Sequence, residues 1–241
     1  MSDVRSGPTT TTEEQVRRRL ALALDVDDLD VACARAQALA PWFGVAKVGL
    51  ELYSAAGPAA IERLAGLGFA VFADLKLHDI PTTVGRAARV LGRTGASYVN
   101  FHAAGGTDMM RAALAGLADG AAAAGRARPI GLAVTVLTSD ADTRAFDARL
   151  RDVIDAGCDG VVCSMHEVAA VKHVRADLVA VVPGVRVAGD DAHDQRRLGT
   201  PEAVAAAGAD VLVVGRAVTA ADDPVRAAEG IFAAVRAVVA G

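Results

Sequence analysis

From Leu20 onward, short apolar runs alternate at a steady interval with longer Ala-rich segments that carry helix signals. The runs are Leu20 to Leu24, Val45 to Val48, Ala70 to Phe72, Tyr98 to Phe101, Ile130 to Val136, Gly160 to Cys163, Leu178 to Val182 and Val211 to Val214. Helical segments between them include Asp28 to Ala40, ended by Pro41, Pro58 to Leu67, ended by Gly68, and Pro201 to Ala207, ended by Gly208;. Such alternation is the signature of parallel βα units. Eight units in one chain of 241 residues predict a closed (β/α)8 TIM barrel over residues 20–241 rather than an open doubly wound sheet;. No linker divides it. Residues 1–19 read as a flexible tail rich in Ser, Thr, Gly and Pro, followed by a short basic helix, Glu13 to Arg19, with Thr12 and Gln15 as a capping box;.

One stretch departs from the apolar pattern. The run Phe69-Ala70-Val71-Phe72 continues into Ala73-Asp74-Leu75-Lys76-Leu77-His78-Asp79-Ile80-Pro81-Thr82-Thr83. In a strand, Asp74 and Lys76, two residues apart, point to one face. Charges that end an apolar strand are a buried ion pair or chemistry. Asp79 lies an odd number of residues beyond Lys76 and next to Pro81, so it has left the strand, and Thr82 and Thr83 offer capping hydroxyls for a following helix. Barrel enzymes build their sites at the C-terminal ends of the strands. The polar residues there are Asp25, Lys47, Asp74 with Lys76, Asn100 with His102, Thr135 with Thr138, Ser164, Arg186, and Gly215 with Arg216. So dense a ring favours an enzyme over a merely packed barrel. Gly215 and Arg216 follow the eighth run, where barrels commonly hold phosphate, and the polar loop Ala188 to Arg197 could fold over a ligand.

Composition narrows the classes. The chain is 53% hydrophobic and carries a net charge of −4 with mixed signs, which gives no basic field for nucleic acid;. No apolar run approaches a membrane span or a secretion signal. Cys33, Cys158 and Cys163 lack a paired spacing, so neither disulfides nor a zinc site is indicated, and a cytoplasmic location fits;. Asp190, Asp191, His193 and Asp194, or His78 with Asp79, read as solvated loop charges rather than metal ligands. Ser164 lacks a G-x-S-x-G elbow, and Gly105-Gly106 lacks the three spaced glycines of a dinucleotide site. Lys47 or Lys76 could form a Schiff base, but neighbouring acids would keep both as ammonium ions.

The stretch Phe72 to Val84 resembles the signature of the orotidine 5′-phosphate decarboxylase family, in its bacterial-type branch. Supporting matches are Leu22 to Asp25, Lys47 to Glu51, Asn100 to Gly106, Val134 to Ser139, Val161 to Ser164, Pro183 to Arg186 and Val213 to Arg216. The resemblance implies a cofactor-free, metal-free decarboxylase of pyrimidine biosynthesis that converts orotidine 5′-monophosphate to uridine 5′-monophosphate and CO2. It further implies a homodimer with shared sites. Lys47, Asp74 and Lys76 would line one subunit's site and Asp79 and Thr83 would reach into the neighbour's, with Lys76 the proton donor. Asp25 would bind the ribose, Thr138 the pyrimidine edge, and Gln195, Gly215 and Arg216 the phosphate, with Arg186 close by. Two positions depart from the family pattern: His193 stands where Gly is common, and Thr82 where Asn is common. Two other readings stay open: a magnesium-dependent sugar-phosphate decarboxylase or aldolase, and a phosphate-binding barrel without activity.

Overall fold

The computed structural model describes residues 11–136, 144–185 and 199–241. Eight strands, β1 (Leu20–Ala23), β2 (Val45–Val48), β3 (Ala70–Leu77), β4 (Tyr98–His102), β5 (Ile130–Val134), β6 (Gly160–Val162), β7 (Val179–Val185) and β8 (Val211–Val214), close into a barrel. They run parallel and in sequence order, with β8 returning to β1 through Leu20↔Leu212 and Leu22↔Val214. Eleven α-helices lie among the described residues: α1 (Thr12–Arg19), α2 (Leu29–Leu39), α3 (Leu50–Ala56), α4 (Pro58–Gly66), α5 (Pro81–Arg93), α6 (Gly106–Ala123), α7 (Phe146–Ala156), α8 (Val168–Val174), α9 (Pro201–Ala206), α10 (Arg216–Thr219) and α11 (Pro224–Ala240). The expected (β/α)8 TIM barrel is the observed fold. Among the described residues no helix is long and apolar enough to cross a membrane.

Each strand buries both faces, in two separate cores. Ala21, Ala23, Val45, Phe72, Leu132, Val134, Val162, Val181, Val211 and Val213 fill the barrel's interior. The alternate residues, among them Leu20, Leu22, Ala46, Val48, Val71, Ala73 and Val99, pack outward against the helices. A period of two thus divides one apolar run between two cores. The three cysteines are free thiols and all are buried. Cys158 is pushed up to about 12 by burial, with Asp159 adding to the effect.

Three local features differ from the sequence-based expectation. First, β3 continues past the apolar run, through Asp74 and Lys76 to Leu77, but not as a regular strand. Its register against β4 passes from Ala73↔Val99 to Leu77↔Phe101, so four residues of advance on β3 meet two on β4. Asp74, Leu75 and Lys76 therefore form a bulge, and Lys76 takes φ 50°, the one positive φ outside glycine among the described residues;. Second, α5 begins with Pro81 after Ile80, with no side-chain cap. Proline's fixed φ takes the first helical position, which places Thr82 and Thr83 inside the helix rather than at its cap. Third, α1 is capped by Thr11, whose hydroxyl accepts from the Glu14 N–H at 3.3 Å, because Thr12 is already helical;.

Helices α5 and α6 approach unusually closely. A methyl group at Gly116 would stand 2.2 Å from the Gly85 carbonyl oxygen, and one at Gly120 would stand 2.1 Å from that of Arg89. Only glycine permits such backbone contact.

Candidate active site

The interior phase of the strands continues past the apolar core. Two residues beyond Ala23 comes Asp25, two beyond Val45 comes Lys47, two beyond Phe72 comes Asp74, and two beyond Tyr98 comes Asn100. Strand alternation that buries Val, Phe and Tyr thereby aims four polar side chains into the C-terminal mouth.

There they join in one cluster. Asp74 is its centre: Lys76 Nζ lies 2.6 Å and Asn100 Nδ2 2.7 Å from Asp74 Oδ1, while Lys47 Nζ lies 3.5 Å from Oδ2. Lys47 Nζ also donates to Asp25 Oδ1 at 2.9 Å. Lys47 is buried, its side chain 9% exposed, and Asp74 is nearly so at 14%. Burying charge costs unless every member is paired, and here two ammonium groups alternate with two carboxylates. Burial pushes the Asp74 carboxyl up, but Lys47, Lys76 and the Asn100 amide outweigh it and hold its pKa below the usual carboxylate value. Asp74 is therefore an anion at neutral pH;.

Asn100, fully buried, does more than its place in the polar ring announced. Its Oδ1 accepts from the Lys76 backbone N–H at 2.7 Å while its Nδ2 donates to Asp74. Its inward phase was legible in the sequence; its two bonds depend on the β3 bulge, which was not. His102, two residues on and half-buried, stacks at a tilt against His78 with ring centroids 5.2 Å apart. Arg149 on α7, which carried no sequence signal, donates from Nη1 to the Thr135 carbonyl at 2.6 Å and so anchors the end of β5.

Other ring members serve the fold. The Thr135 hydroxyl is spent on the Val162 carbonyl at 3.3 Å. Ser164 forms a capping box with Glu167, whose carboxylate accepts from the Ser164 N–H at 2.8 Å. Asp79 has left the strand as expected; it is exposed, its Oδ1 accepts from the Ile80 N–H at 2.7 Å, and no ion pair reaches it among the described residues. Thr83 is exposed in the first turn of α5. Gly215 follows β8 and Arg216, exposed, opens α10. Thr138, Arg186 and Gln195 lie outside the described residues, as does the expected lid and its charges at 190–194. Among the described residues no group of three or more His, Cys, Asp or Glu is placed to hold a metal ion.

Comparison with known proteins identifies the family. Curated relatives named orotidine 5′-phosphate decarboxylase include one from Moorella thermoacetica, 44% identical over 234 residues, covering 91% of this chain and 93% of its own. Another, from Anaeromyxobacter sp. (strain K), is 47% identical over 229 residues, covering 89% and 97%. The crystal structure of orotidine 5′-phosphate decarboxylase from Lactobacillus acidophilus superposes with a TM-score of 0.77 at 33% identity, covering 90% of this chain and 99% of that one. The profile of the orotidine 5′-phosphate decarboxylase / HUMPS family matches residues 18–231, and the chain belongs to that family.

Proposed function

We propose that the chain decarboxylates orotidine 5′-phosphate to uridine 5′-phosphate without a cofactor, as a homodimer in which each site is completed by Asp79 and Thr83 of the second subunit. The observation that carries this reading is one buried carboxylate, Asp74, held between two ammonium groups at the barrel mouth. It is supported by curated relatives that bear this enzyme's name. The C6–carboxylate bond breaks, CO2 departs and the electron pair remains on C6. No cofactor absorbs that charge, so fixed electrostatics must. The Lys76 ammonium stabilises the carbanion and then passes its proton from Nζ to C6, and the resulting amine regains a proton from water. Asp74 pairs with Lys76, Lys47 holds Asp74 in place, and Asp79 of the second subunit adds a carboxylate to the series. Asp25 binds the ribose and Thr138 the pyrimidine edge. Gln195, Gly215, Arg216 and Arg186 hold the phosphate, whose binding energy supports orientation at the distant carbon.

The test is the fall in ultraviolet absorbance of orotidine 5′-phosphate on adding enzyme, with and without a chelator, for the wild type and Lys76→Ala. Rapid loss insensitive to chelator is expected of the wild type, and no turnover with substantial nucleotide binding of the variant. Turnover of sugar phosphates with magnesium in place of the nucleotide would overturn the reading, and near-normal turnover by Lys76→Ala would remove Lys76 from the proton-donor role.

A further inference from the structure

We infer that Asn100 is a positioning residue for catalysis, which holds the Lys76 backbone in its left-handed conformation and thereby sets where the ammonium group lies. The inference rests on the reading of Lys76 as proton donor. Its geometry follows from the bulge. Two surplus residues of β3 opposite β4 leave the Lys76 N–H without a strand partner, and a partly buried N–H left without one is unfavourable;. Asn100 Oδ1 takes that N–H at 2.7 Å, standing in for a ladder carbonyl. The left-handed backbone of Lys76, φ 50°, is itself unfavourable for a residue with a Cβ and persists where its surroundings hold it;.

The same amide also orients the acid. Asn100 Nδ2 and Lys76 Nζ share Asp74 Oδ1, at 2.7 and 2.6 Å, which leaves Oδ2 toward Lys47. One side chain must accept from Lys76 and donate to Asp74 at once. A carboxamide does both. Ionised aspartate of the same shape accepts but cannot donate, and would set a second negative charge against Asp74; protonated aspartic acid recovers one donor and one acceptor. Burial and the neighbouring Asp74 favour that protonated form as pH falls.

The test compares wild type, Lys76→Ala, Asn100→Ala and Asn100→Asp from about pH 5.5 to 8.5, with thermal melting and uridine 5′-phosphate binding to verify the fold. Misplacing a reacting group by about 1 Å costs on the order of 100-fold, so Asn100→Ala should lose about that much in kcat with KM changed less than about threefold. For Asn100→Asp, kcat divided by the wild-type value at each pH should rise about tenfold or more on acidification, a trend that a merely structural residue would not produce. A ratio flat with pH, or an Asn100→Ala kcat within about threefold of wild type, overturns the inference. Amide exchange gives a readout apart from turnover: the Lys76 N–H should be protected in the wild type and lose protection in Asn100→Ala, and unchanged protection overturns the positioning bond. Near-normal turnover by Lys76→Ala would instead defeat the proton-donor reading, whatever Asn100 does.

Discussion

His102 carries an imidazole into a crowd of cations at the end of β4. Burial lowers its pKa first, and His78, Lys76 and Arg149 lower it further, with Asp74 opposing them. The folded protein thus keeps His102 neutral at pH values where the unfolded chain, at about 6.5, protonates it. Where the unfolded state binds more protons, stability rises with pH. The His102 contribution is therefore fully present above about pH 6.5 and is lost as pH falls from there through the depressed folded value. Replacing His102 by Asn should narrow the loss of urea stability between about pH 7.5 and 5.5 relative to wild type, since it removes the imidazole whose folded pKa is lowered;. An equal loss in the two proteins would contradict the assignment. At this scale the sequence was legible for Lys47, Asp74 and Lys76, because charge where a strand should be apolar requires a reason. Asn100 could be placed in the ring but not given its bonds. Those bonds come from a register mismatch between two strands, and no local pattern encodes it.

At the scale of elements, the eight apolar runs and the eight strands coincide to within a few residues, except for β3, whose charged continuation looked like its end. Helix pairing was less legible, since glycines inside helical segments announce a close approach without naming the partner. Helices α5 and α6 supply it. The Gly120 position leaves 2.1 Å to the Arg89 carbonyl, and a methyl group at Gly92 would come 2.5 Å from that of Leu117. Because α5 starts two residues after Asp79 and α6 follows His102 after one turn of 3-10 helix, their spacing sets the rim of the barrel mouth. Gly to Ala inside a helix ordinarily gains about 1 kcal/mol. In Gly120→Ala the clash with a backbone carbonyl should outweigh that gain and lower stability by about 1–2 kcal/mol net, read as a lower urea midpoint. A midpoint equal to or above wild type would show that the two helices separate freely.

At the scale of the molecule, the stretch from His78 to Thr83 is exposed along its whole length, and Ile80 is 66% exposed at the rim. Under the proposed reading, polar groups and an apolar side chain beside them, all exposed, suit a second subunit across the mouth;. The proposed sharing can be measured by mixing Lys76→Ala and Asp79→Ala proteins, each inactive alone. If subunits exchange at random, half the dimers are mixed, and in a two-fold dimer one of their two sites combines an intact Lys76 with an intact Asp79, so activity should recover to about a quarter of wild type. No recovery between freely exchanging subunits would assign each site to one chain.

The in-phase run from barrel core to barrel mouth has a consequence for how such a chain can change its length. Val45 and Lys47, or Phe72 and Asp74, share one alternation. Deleting or inserting a single residue within a strand would exchange inside for outside over the whole remainder unless a bulge restores the phase, as in β7, where three residues from Val182 to Val185 meet two of β8 and both valines still pack outward;. Packing and chemistry would fail in the same stroke, so neither could be inherited without the other. Substitutions can be accepted one position at a time, whereas insertions and deletions are confined to the connecting loops and to bulges that restore the phase;. The bulge in β3 holds two surplus residues, an even number, so Leu77 rejoins β4 at Phe101 with the outward phase of Ala73 and Leu75.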